Sequence, residues 1–173
     1  MIQSKYNMKP QDILVLLKII ALEDKEWQQL TLAQELNMSQ SEISQSLQRS
    51  KYGQLLDFSG KKINKMAFYE FLIHGIRYAF PQKPAALVRG IATAHSAAPI
   101  NKMVSATEIY VWPYAKGNIR GQAIIPLYSS AIEASLKDTE LHELLALVDV
   151  MRVGSTREKE IAKMELKKRI LNE

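Results

Sequence analysis

The sequence predicts a mainly helical chain with small β-hairpins, an α+β fold. Three observations carry that prediction. Ile13, Leu16, Leu17 and Ile20, and again Leu141, Leu144, Leu145, Val148 and Met151, recur at the spacing that lines one face of a helix. Residues 55–58 and 109–112 read as short strands beside the turn residues Ser59-Gly60 and Lys116-Gly117-Asn118. The chain also has 173 residues, 47% of them hydrophobic and none of them cysteine, so it can bury a core without metal or disulfide staples.

Taken in order, Pro10 suits the first turn of a helix because it has no N–H to lose, and Asp12 complements the positive end of the dipole. The polar run Glu23-Asp24-Lys25-Glu26 ends that helix, and Trp27 and Leu30 return to the core. Thr31 is expected to cap a short second helix through Glu35 and Leu36, and Asn37 follows as a residue that tolerates the left-handed conformation. Ser39 or Ser41 caps a third helix that runs to about Tyr52 and stops at Gly53. Residues 55–58 and 61–64 then form a small hairpin around Ser59-Gly60. A longer helix is expected from Asn64 to Phe80, ended by Pro81 and Pro84. Its apolar residues Met66, Phe68, Phe71, Leu72, Ile73, Ile76 and Phe80 cover most faces, which predicts enclosure by the rest of the protein or by a partner subunit.

The second half reads less clearly. Residues 83–105 lack firm periodicity and are expected to be an ordered connection. Residues 109–112 and 123–125 predict a second β-hairpin turning at 116–118. Asp138 opens a helix closed by Gly154, and Ser155 or Thr156 caps a last, charge-rich helix from Arg157 to about Leu171. A buried pair between Arg152 or Arg157 and Asp149 or Glu158 is among the possibilities. The organisation expected is 1–80 as one unit and 81–173 as a connection, hairpin and helical dimerisation or sensing module.

The informative segment is 32–49, Leu-Ala-Gln-Glu-Leu-Asn-Met-Ser-Gln-Ser-Glu-Ile-Ser-Gln-Ser-Leu-Gln-Arg. Small Ala33 allows two helices to cross closely, Leu36 and Met38 flank the turn, and Ile43 and Leu47 pack the second helix on the first. Its spacing resembles a helix-turn-helix, with Asn37 in place of the usual turn glycine. If Ile43 and Leu47 face inward, Ser39, Gln40, Ser41, Ser44, Gln45 and Gln48 face outward, where hydroxyls and amides can read base edges. Arg49 and Lys51 are expected at phosphates. Glu42 either accepts from cytosine or is solvated. With residues 55–64 as a short wing, 9–64 resembles the winged helix of bacterial MarR-like regulators. That resemblance implies a recognition helix in the major groove and Lys61 and Lys62 along the backbone or minor groove. Segments 74–81 and 148–158 are similar to a poorly characterised group of bacterial predicted regulators, a resemblance that brings no ligand or chemistry. The competing reading of 32–49 is a Ser/Gln-rich surface helix in a packing-only unit.

Charge supports the first reading locally. Lys and Arg (23) exceed Asp and Glu (18), and between Ser44 and Lys65 five basic residues face only Asp57. Catalysis finds little support: the histidines His74, His95 and His142 are far apart, and His142-Glu143 lacks a second histidine at 146. His74, on an apolar helix, is expected to be a satisfied core residue. No enzyme, metal or cofactor is therefore expected. Partners expected are double-stranded DNA, a second copy through the 141–151 face and last helix, and a small-molecule or protein effector. Tyr110, Trp112, Tyr114 and Tyr128 either line an effector pocket or are ordinary core. The start lacks the apolar core of a signal peptide, and the apolar runs 13–17 and 144–148 fall far short of the ~20 residues that span a bilayer, so a cytoplasmic protein without membrane contact is expected. The function predicted is a DNA-binding transcriptional regulator, a repressor acting as a homodimer. The alternative is an antitoxin-like protein-interaction module on a degenerate winged helix.

Overall fold

The computed structural model describes residues 3–173 and has an α+β fold. Its first helix, α1 (Pro10–Ala21), opens with Pro10 in the first turn, as expected. Nine consecutive residues from Asp12 to Ile20 are buried, so α1 is enclosed on all sides. It packs against α2 (Gln29–Leu36), α3 (Gln40–Tyr52) and the later helix α7 (Thr139–Val153). The second helix starts earlier than expected, with Gln28 as the flanking residue, so Thr31 lies within its first turn. Asn37 ends it in the left-handed region at φ 50°, ψ 45°.

After α3 the chain is stopped by Gly53, but the positive φ (61°) belongs to Gln54. Residues 55–64 form a tight loop closed by one antiparallel bridge, Leu56 with Ile63, in place of a longer hairpin. The helix expected over 64–80 is present with an interruption: α4 (Lys65–Glu70) passes through a π-turn (Phe71–Gly75) into α5 (Ile76–Ala79). Phe68, Leu72 and Ile76 form its buried stripe. Met66 and His74 are exposed, so His74 is not the core histidine expected.

The largest departures lie between 83 and 125. The expected connection contains a strand, β1 (Leu87–Ala92). The expected second hairpin does not form, because β2 (Tyr110–Pro113) and β3 (Ile119–Ala123) each pair antiparallel with β1 and lie parallel to each other. The three strands close into a small barrel. Closure demands glycine where backbones cross: a Cβ on Gly90 would collide with the Trp112 carbonyl, and one on Gly117 with the backbone of Gly90.

Past the barrel come α6 (Ala131–Lys137), which sequence reasoning did not anticipate, then α7 and α8 (Thr156–Leu171). Asp138 caps α7 by accepting from the Leu141 N–H, and Ser155 with Glu158 forms a capping box on α8. Leu144 to Met151 are all buried within the chain, so the 141–151 face expected at a two-fold interface is already occupied by its own core. One hydrophobic core runs from Ile13 to Ile170 and draws on both the 1–80 and 81–173 segments. Among the described residues, no helix is long and apolar enough to cross a membrane.

Candidate nucleic-acid interface

The site is built from the inside of α3 outward. Leu32, Ala33 and Leu36 on α2, Met38 in the turn, and Ile43 and Leu47 on α3 are all buried and join the two helices. Of the two candidate caps, Ser39 is the one used. Its hydroxyl accepts the Glu42 N–H at 3.1 Å, and the Glu42 carboxylate accepts the Ser39 N–H at 2.8 Å. This reciprocal lock fixes the start of α3.

With that underside buried, Ser39, Gln40, Ser41, Gln45 and Gln48 are exposed and Ser44 is half-buried. Gln45 Nε2 donates to Ser41 Oγ at 3.1 Å, so two neighbours one turn apart already form a hydrogen-bonding ridge. Lys51 near the end of α3, and Lys61 and Lys62 in the loop after it, are exposed. The loop that carries the latter two is tied to the end of α3, because Leu55 and Leu56 N–H groups both donate to the Ser50 carbonyl. The Lys61 ammonium sits 4.4 Å from the centroid of the Trp27 ring, which braces the loop against the α1–α2 connection.

Arg49 does not belong to this surface. It is 4% exposed, and its Nε and Nη2 donate to the Asp12 carboxylate, with Nη2 at 2.7 Å. Asp12 is fully buried and also accepts the Lys9 N–H at 2.8 Å. The arginine expected at phosphates is an internal tie between α3 and α1, and the exposed charge here comes from lysines alone. Glu42 is corrected too: it is neither a base contact nor simply solvated. Tyr128, in the segment between β3 and α6, donates to its Oε1 at 2.6 Å. That bond and the Ser39 donors hold the Glu42 carboxyl below the usual glutamate range.

Two further polar joints meet at α7, the first of them carrying α1 and α2. Lys18 Nζ lies 2.6 Å from both Glu35 on α2 and Asp138 at the start of α7. Burial opposes its charge, but these two partners outweigh that and raise its pKa above the ordinary lysine value. The second joint is Asp149, which is 1% exposed. It accepts from Thr93 Oγ1 and Trp112 Nε1, both at 2.7 Å, and from Arg152 Nη1 at 2.9 Å. Of the buried pairs considered from sequence, Arg152 with Asp149 is the one formed, and Arg152 also donates to the Phe80 carbonyl.

The four aromatics of the second half do not face one cavity. Trp112 is buried on Asp149, Tyr110 packs on the His95 ring, Tyr114 donates to Glu133 and Tyr128 to Glu42. Phe58, a 92% exposed ring, is a residue sequence reasoning missed, and Tyr128, expected in an effector pocket or the core, instead makes an unforeseen contact to Glu42. The isolated aromatic next to the turn Ser59-Gly60 was the available signal for Phe58; the Tyr128 contact to Glu42 had none. Among the described residues no group of three His, Asp or Glu side chains is arranged for a metal. Comparison with protein-family models, curated proteins and solved structures finds no match.

Proposed function

We propose that residues 9–64 act as a winged helix-turn-helix and that the protein is a sequence-specific, double-stranded-DNA-binding transcriptional regulator of the MarR-like type, acting as a homodimer. The observation that carries this reading is the outer face of α3. Ser41, Gln45 and Gln48 present neutral donors and acceptors on a helix whose underside is locked into the core. Glutamine can pair both major-groove groups of adenine, and serine can serve several bases. The flanking lysines suit phosphates, which supply affinity without sequence information. Asn37 in the turn, Ala33 buried at the helix crossing and the single bridge in the loop after α3 support the same architecture. Two copies would set two such helices about 34 Å apart on a pseudo-palindromic site.

Anisotropy titration against genomic fragments at two salt concentrations tests the reading. A dimer offering Lys51, Lys61 and Lys62 twice makes about six phosphate contacts, and should lose roughly 10³ in affinity between ~50 and ~200 mM salt. Absence of salt-dependent binding to any fragment would sink it. The second reading, an antitoxin-like protein-interaction module, would then stand, favoured by Leu87, Ile109 and Ile125 exposed on and beside the barrel.

Two substitutions separate reading from anchoring. Gln45→Ala should relax preference at one base position by about 1–3 kcal/mol, measured across single-base variants of the preferred duplex. Lys61→Ala should weaken all duplexes alike and lower the salt slope by about one contact per subunit. Equal behaviour of the two variants counts against this face as the reader.

A further inference from the structure

Phe58 is the most exposed large hydrophobic residue among those described, and it stands in the wrong place for a solvated loop. It lies between the end of α3 and Lys61-Lys62, with the Lys51 ammonium 5.0 Å from its ring centroid. The loop beneath it is rigidly built. Ser59 Oγ donates to the Asp57 carboxylate at 2.8 Å, and the Lys61 and Lys62 N–H groups donate to Asp57 Oδ1 at 3.2 and 3.1 Å. The Asp57 N–H donates to the Lys62 carbonyl, the Gly60 N–H to the Asp57 carbonyl, and Asn64 Nδ2 to the Gln54 carbonyl. The one acidic side chain at the tip is thus used up inside the turn, where the Ser59 hydroxyl above all, with the Lys62 amide, holds it below the ordinary aspartate range. What the tip offers outward is one ring, with the Lys51 ammonium against it and the exposed Lys62 in the same loop.

That combination suits a duplex. The Lys51 ammonium beside the ring can meet a backbone phosphate, and an apolar side chain held out from a rigid support can enter a base step and unstack it. Steps of the pyrimidine–purine type open most easily, so such a wedge selects sequence through deformability at a position the helix does not touch. We propose that Phe58 is an intercalating wedge that enters a pyrimidine–purine step beside the α3 footprint and bends the DNA. The proposal rests on the DNA-binding reading and adds a second specificity determinant to it. A ring that is 92% exposed makes no core contact, so its replacement leaves the fold intact.

The test uses the full chain and duplexes it recovers from a random-sequence pool, with 2-aminopurine placed in turn at each step flanking the footprint. Fluorescence should rise severalfold at one step when wild-type protein binds. Phe58→Ala should abolish the rise and cut the preference for a pyrimidine–purine step there roughly tenfold. Phe58→Leu, still an apolar wedge, should retain most of both, and the salt slope should be the same for all three proteins. Salt-dependent binding with no rise at any step, or a rise unchanged in Phe58→Ala, overturns the wedge while leaving the regulator in place. Loss of salt-dependent binding by the wild type overturns both.

Discussion

Arg49→Ala is expected to destabilise the protein by about 3–5 kcal/mol, a large part of the roughly 5–15 kcal/mol that holds a domain together. The reason is what it leaves behind. Asp12 is fully buried, and without the guanidinium its carboxylate keeps only the Lys9 N–H as a donor. An uncompensated buried charge costs far more than an absent surface contact. Urea denaturation followed by circular dichroism measures the loss. Arg49→Lys should recover only part of it, because an ammonium cannot reproduce the two-pronged contact made by Nε and Nη2. The pair Asp12→Leu with Arg49→Met removes both charges and should restore most of the stability. The same variants decide between an internal tie and a phosphate contact. For an internal tie, folded Arg49→Ala protein keeps the wild-type salt slope for DNA. A slope reduced by about one contact with unchanged stability would return Arg49 to the surface.

Arg49 also shows where reading a sequence stops. The α2–turn–α3 arrangement was legible because its determinants are local: Ala33, Leu36, Asn37 and Met38 lie within six residues, and Ile43 and Leu47 repeat at helical spacing. Near the end of a polar helix, however, a long cation reads as surface. Its partner is 37 residues away on α1. A weaker signal was present, since Ile13 to Leu17 is an unbroken apolar run with Asp12 at one end and Lys18 at the other. A helix enclosed all round must find partners for charges at its ends. Asp12 meets Arg49, and Lys18 meets Glu35 and Asp138.

The barrel was less legible for a related reason. Leu87-Val88-Arg89-Gly90-Ile91-Ala92 carries little strand signal, because Gly90 weakens it and small residues surround it. That glycine is required by the Trp112 backbone crossing above it, and Gly117 by Gly90 itself. Both demands arise from strands brought together late in sequence. With β1 hidden, β2 and β3 could only be joined to each other, which produced a hairpin where the fold has a closed barrel. At the candidate interface the exposed polar face of α3 was readable from periodicity. The Tyr128 contact to Glu42 was not, since no local pattern links residues 86 positions apart.

Asp149→Asn is the second substitution expected to cost several kcal/mol, about 3–5 at neutral pH. Asp149 fastens three parts of the chain to α7: Thr93 after β1, Trp112 on β2, and Arg152, which itself holds the Phe80 and Ile125 carbonyls. All three partners donate hydrogen bonds. An asparagine of the same shape replaces one acceptor oxygen by an NH₂, so a donor meets a donor and Arg152 loses its counter-charge. The pH dependence separates charge from shape. Burial pushes the Asp149 carboxyl up, Arg152, Thr93 and Trp112 pull it back, and the net position is above the ordinary aspartate value. Between that ordinary value and the folded one, the folded state keeps a proton the unfolded state has released, so stability falls as pH rises through the window and is level above it. The asparagine variant has no such proton. The stability gap between wild type and Asp149→Asn should therefore widen on acidification through the window, as read from urea midpoints at a series of pH values. A gap that narrows instead would mean that the three donors outweigh burial and hold Asp149 below the ordinary aspartate value.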